Sequence, residues 1–179
     1  VQAMLILCEQ NNLPELKNYL ISLNDDLTTV DTSIKTGNVM IDAILNSKMS
    51  LIKAHSIPVF AKAAAPHETD LSDIDLCVIL GNMLDNAMEA CVEQGADEER
   101  FIRLYMGVMK RQLYISVQNT FSGGKKRTER LVSTKAEPGH GYGLARIDAI
   151  VKRNGGYINR QNEDGIFATE VMLPLFRVS

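Results

Sequence analysis

The run Gly81-Asn82-Met83-Leu84-Asp85-Asn86-Ala87-Met88-Glu89 puts two carboxamides four residues apart inside an apolar, helix-forming stretch. On a helix that spacing projects both amides from one side, with Glu89 within an arc of about 60° of them. Amide oxygens can ligate a hard cation, and amide nitrogens can donate to phosphate. A second group is Gly139-His140-Gly141-Tyr142-Gly143-Leu144, which opens another helical pattern. Alternating glycines allow close backbone approach to a polyanion, and a helix start offers unpaired N–H groups; a plain hinge is the other reading. The motif lacks the preceding strand of a dinucleotide fingerprint, and no Gly-Lys-Ser/Thr follows. Residues 120–140 form a third group: Lys125, Lys126, Arg127, Arg130 and Lys135 outnumber Glu129 and Glu137. This loop of local charge +3 on a chain of net charge −3 suits either a lid over an anion or a solvated loop. Fourth, Asn119 continues the inward alternation of Leu113, Ile115 and Val117. Buried there, its amide must cap a backbone group or meet a polar ligand.

These groups need a framework, and the 179 residues are enough for one full domain, with a small appendage. An apolar share of 45% with 23% charged residues fills a core and argues against disorder. The mildly acidic balance gives nucleic acid no foothold. Cys8, Cys77 and Cys91 are odd in number and widely separated, which argues against zinc and a disulfide framework and for a reducing compartment. No apolar run reaches the length of a membrane span, and the N-terminus does not read as a signal peptide. It reads as a helix cut open, so a fragment of a longer chain is expected.

Leu13, Leu16, Leu20, Leu23, Leu27 and Val30 alternate spacings of three and four, the seam of a helix bundle. Asn12 and Glu15 form a capping box around Pro14, and Val1, Met4 and Cys8 repeat the spacing upstream. Residues 1–35 therefore predict a helical hairpin, completed either by a symmetric partner or by this chain's own core. Thr36-Gly37-Asn38 predicts a break and cap before a helix buried through Ile41, Ile44, Leu45 and Ile52. A strand through Ile57, Val59, Ala61 and Ala63 follows. Ser72 with Asp75 opens a long helix carried by Ile74, Cys77, Leu80, Leu84, Met88 and Cys91 to about Gln94. Strands at 101–106 and 112–119, a helix from Tyr142 to Asn154 ended by Gly155-Gly156, and a hairpin of 157–162 with 166–173 complete the pattern. The expected class is α+β, one mixed sheet covered by helices.

The order Asn-x-x-Asp-Asn on a helix, a strand ending in Asn119, a basic lid, Ser133-Thr134-Lys135 and Gly-His-Gly-Tyr-Gly-Leu resembles the GHKL ATP-binding domain of bacterial sensor histidine kinases. It is most similar to the peptide-sensing, quorum-sensing (Agr-like) subgroup. The resemblance implies a Bergerat-type α/β sandwich over 36–179 with a lid at 120–140. It makes 1–35 the tail of a dimerisation and phosphoacceptor hairpin. It further implies ATP and Mg²⁺ as cofactors, with Asn86 as the N-box ligand of Mg²⁺ and phosphate oxygens. Asn82 stands where ATP-hydrolysing relatives carry a water-activating Glu; an amide cannot act as that base. That fits phosphoryl transfer to a protein with slow hydrolysis, and the resemblance makes Asn82 and Asn86 the catalytic pair, both binding the nucleotide. Gly139, Gly141 and Gly143 with Leu144 form the box around the triphosphate, Lys135 is a lid cation, and Asn119 meets adenine.

Asn119 replaces the Asp of the family's Asp-x-Gly motif, in the style of the peptide-sensing subgroup, and Glu89 stands where many members have a basic residue. His55, His67 and His140 all lie off the hairpin, so the acceptor His is expected upstream of Val1. The implied function is autophosphorylation from Mg-ATP followed by transfer to a response regulator. The setting is the cytoplasmic part of a homodimeric membrane receptor whose sensor region lies upstream. The alternatives are a non-catalytic phosphotransfer scaffold and a GHKL serine kinase of a regulatory protein.

Overall fold

The structure, a computed structural model, describes residues 34–94, 98–121 and 142–176, all within one compact unit. The hairpin expected over 1–35 and most of the expected lid lie outside the described residues. Helix α1 spans Val39–Ala54 and begins where Thr36-Gly37-Asn38 predicts. Gly37 takes φ 95°, and Asn38 caps the helix by accepting from the Met40 and Ile41 amides, each at 3.0 Å. Its buried stripe is Ile41, Leu45, Met49 and Ile52; Ile44 is half-buried.

Strand β1, Val59–Ala63, runs parallel to β2, Ile102–Met109, with Val59 opposite Ile102. The β2 strand pairs antiparallel with β3, Gln112–Thr120, around a turn in which Lys110 has φ 58°. Strands β4, Tyr157–Glu163, and β5, Ile166–Pro174, form the closing hairpin, and β5 docks on β3. Asp164 and Gly165 both take positive φ in the β4–β5 turn, the backbone an Asp-Gly pair favours. The resulting sheet is mixed, as the α+β reading expects, and has the order β1-β2-β3-β5-β4.

One face of that sheet is covered. Leu113, Ile115, Val117, Val171 and Leu173 point inward, each 2% exposed or less, and meet the helix layer. Burying a side chain of this size contributes about 1.5–3 kcal/mol, so these five positions alone anchor β3 and β5 to the helices. Helix α2, Asp73–Val92, lies across β3 between α1 and α3, Tyr142–Arg153. Its expected stripe is corrected. Ile74 is 65% exposed, Cys77 and Met88 are half-buried, and Leu76, Ile79, Met83 and Ala87 join Leu80, Leu84 and Cys91 inside. A helix packed on three sides buries a wider arc than one stripe can describe.

Ser72 is the N-cap of α2, where the sequence opens this helix, but its side chain makes no capping bond. Asp75 instead turns into the protein and accepts from the Arg153 guanidinium and from Asn154 Nδ2 at 3.0 Å. Gly155 ends α3 at φ 65°. Gly156 serves a different need, since a Cβ there would stand 2.5 Å from the Met172 carbonyl oxygen.

Candidate functional site

Asn82 and Asn86 project from α2 beside its core-facing arc, both half-buried, with Glu89 exposed one turn on. Asn82 Nδ2 donates to the Val78 carbonyl at 2.7 Å, a bond back to the preceding turn. Its Oδ1 then faces α3, where a Cβ on Gly143 would meet it at 2.7 Å. Asn82 and Gly143, far apart in sequence, therefore meet at the start of α3. Asn86 makes no side-chain hydrogen bond to another described residue, leaving its amide open. Between them, Asp85 accepts from Lys48 Nζ of α1 at 2.6 Å, which ties α1 to this part of α2.

Asn119 lies on the inward face of β3 as the alternation predicts, only 3% exposed. Of the two outcomes open for a buried amide, capping is the one seen: Nδ2 donates to the Thr120 carbonyl at 2.9 Å. The same carbonyl receives the Cys91 thiol at 3.6 Å. Thr120 Oγ1 donates to Gln94 Oε1 at 2.9 Å and accepts from the Phe101 amide at 3.2 Å. This group at the end of α2 steadies Asn119, and it escaped the sequence reading because its members come from three separate segments. Lys48 escaped it too; a lysine on an amphipathic helix gives no sign of the carboxylate it will find. Burial pushes the Cys91 thiol up, opposed in part by its bonds to Thr120, so it is not an activated thiolate.

Leu144 sits in the main core cluster, so only its backbone is available to a ligand at the start of α3. Lys135, Gly139 and Gly141 lie outside the described residues. Two surface grooves lined by described residues lie elsewhere, one on the outer sheet face beside Phe60 and Tyr105, one between Asp70, Asp75 and Phe176. Among the described residues no three His, Cys, Asp or Glu side chains gather into a metal site. The groups offered around Asn82, Asn86 and Asn119 are amides, which bind and orient but do not abstract protons. An open amide on Asn86 and a buried one at Asn119 fit a magnesium-bound nucleotide, whose phosphates would supply most oxygens to the metal.

The sandwich of one mixed sheet under three helices, with amides on the central helix meeting a glycine-led helix start, defines a GHKL-type fold. Residues 71–174 match the family model described as "GHKL domain", and the chain belongs to that family. It is 32% identical over 114 residues to a probable C4-dicarboxylate sensor kinase of Halalkalibacterium halodurans, covering 60% of this chain and 21% of that protein. It is 30% identical to the sensor protein CitS of Bacillus subtilis, covering 69% and 23%, and 35% identical to the sensor histidine kinase DpiB of Escherichia coli, covering 52% and 18%. The chain thus spans about a fifth of the length of these curated relatives. Among solved structures, the catalytic domain of histidine kinase ThkA superposes with a TM-score of 0.60 at 19% identity, covering 79% of this chain and 96% of that one. The histidine kinase domain of the blue-light activated kinase from Erythrobacter litoralis gives 0.56 at 14% identity, covering 84% and 67%. The fold is therefore that of histidine kinase catalytic domains.

Proposed function

We propose that the chain is the ATP-binding catalytic part of a two-component sensor histidine kinase. It binds Mg-ATP and passes the γ-phosphoryl group to a His upstream of Val1, from which a response regulator receives it. The observation that carries this reading is the closeness of Asn82, in the asparagine run, to Gly143, in the glycine run. Family membership and three relatives named as sensors or sensor kinases support it.

Asn86 would hold the metal through its open Oδ1, and Asn119 would accept from the adenine amino group through the oxygen its cap to Thr120 leaves over. Gly139, Gly141 and Gly143 with the Leu144 amide would cradle the phosphates, and Lys135 would close on them. Mg²⁺, when bound, neutralises phosphate charge as it spreads in the transition state. The chain's own task is positioning: fixed amides and backbone N–H groups aimed at that charge. The acceptor and its dimeric bundle, a cytoplasmic setting and attachment to a membrane sensor belong to the same proposal. No described helix is long and apolar enough to cross a membrane. The relative named for C4-dicarboxylate sensing favours a small-molecule sensor over the peptide-sensing parent that the sequence resembles; the upstream domain of the parent gene decides between them.

Asn86→Ala tests the assignment. Alanine is the better helix former, so the melting temperature should hold while radiolabel transfer from ATP to a chain carrying the upstream hairpin disappears. Normal labelling would refute the metal role. With Mg-ATP at about 100 times its dissociation constant, the unmutated protein should gain about 2.7 kcal/mol of stability. No gain would favour the non-catalytic scaffold.

A further inference from the structure

Two residues at the candidate site each break a local rule. Asn82 lies mid-helix, where asparagine is a weak former. Gly143 lies in the first turn of α3, where alanine would form helix better, and it is not among the glycines with positive φ. Its backbone conformation therefore gives no reason for glycine.

Each is explained by the other. A Cβ at Gly143 would stand 2.7 Å from Asn82 Oδ1, 3.6 Å from its Cγ and 3.8 Å from its Cβ. Asn82 cannot swing aside freely, because Nδ2 is bonded to the Val78 carbonyl at 2.7 Å. The carboxamide is thus a clamped plate against which the bare Cα of Gly143 rests. We propose that Asn82 is a positioning residue that seats the first turn of α3 against α2, and that Gly143 lacks a side chain because a Cβ there would strike Asn82, its backbone N–H being left for the phosphates. The proposal rests on the nucleotide-binding reading. It assigns Asn82 the spacing between the α3 start and Asn86, one turn further along α2, instead of direct contact with the metal.

A double-mutant cycle decides it. Gly143→Ala, Asn82→Ala and the pair are compared by melting temperature without nucleotide and by affinity for a fluorescent ATP analogue with Mg²⁺, well below every melting point. Gly143→Ala alone should lower the melting temperature and weaken affinity about tenfold, within the coupling expected of touching residues. In the Asn82→Ala background the same change should leave affinity unaltered and raise the melting temperature, since the new methyl enters vacated space. Should Asn82→Ala bind too weakly to measure, Asn82→Ser removes the blocking amide oxygen from the smaller side chain and should give the same suppression.

Equal losses from Gly143→Ala in both backgrounds would overturn the proposal and place the new methyl against the nucleotide. If the unmutated protein binds no analogue, the functional reading falls, and the role of Asn82 with it. That outcome is distinct from binding with an additive cycle, which removes the Asn82 role alone.

Discussion

Cys91 has a raised thiol pKa because burial disfavours its charged form, with the Thr120 bonds only partly offsetting this. The folded state therefore holds this proton more tightly than the unfolded chain does. The stability this gives is complete below the ordinary thiol range of about 8.5 and is lost as pH rises through the higher folded value. Native protein at pH 8 should accordingly resist iodoacetamide at Cys91, and mass spectrometry should find modification there only after denaturant is added. Rapid alkylation of folded protein would contradict the buried placement. The inward aim of Asn119 was legible from a two-residue alternation, because strand geometry leaves only two directions. The Thr120, Gln94 and Cys91 group around it was not, since hydrogen-bond partners across a fold leave no periodic trace.

At the scale of elements, turn and cap chemistry carried the boundaries. Asn38, Asp164-Gly165 and Gly155 each do locally what their residue types favour, Lys110 takes a left-handed φ that lysine does not favour, and the elements start and stop close to where they were expected. The inward face of α2 was less legible. A single apolar stripe chose Ile74, yet α2 is enclosed by α1, α3 and β3, and the centre of its buried arc falls on Leu76, Ile79, Leu80, Met83 and Leu84. Ile74→Lys should therefore change stability by less than about 0.5 kcal/mol in urea unfolding. Leu80→Ala, at a position fully closed to solvent, should cost about 2–5 kcal/mol. Comparable costs for the two would mean that α2 is rotated from the arrangement described. The Lys48–Asp85 pair is a lesser matter: Asp85 is 40% exposed, and a pair of that kind is worth about 0.2–1 kcal/mol.

For the whole molecule, the α+β class and strand pairs were legible because helical and strand periods alternate cleanly along the chain. The strand order was not, because the parallel β1–β2 pair depends on a crossover that no local signal specifies. That order sets a gradient of protection. Amides of β3, paired along both edges, and of α2, packed among α1, α3 and β3, should exchange with deuterium only on global unfolding, whereas β1 and β4, each paired along one edge, should exchange earlier. Uniform exchange would show that the sheet opens as a single unit. The uncovered side of the sheet also decides what optical spectroscopy can see. The chain has no tryptophan, and Tyr105, Tyr114 and Tyr157 all stand on that side, with the first two rings 5.9 Å apart and Tyr114 donating to Glu170 at 2.5 Å. Their ultraviolet emission is thus tied to the face opposite the helices, whereas Tyr142 is the first residue of α3 and belongs to the helical layer, so a tyrosine signal meant to watch ligand occupancy has to be separated from that of the other three.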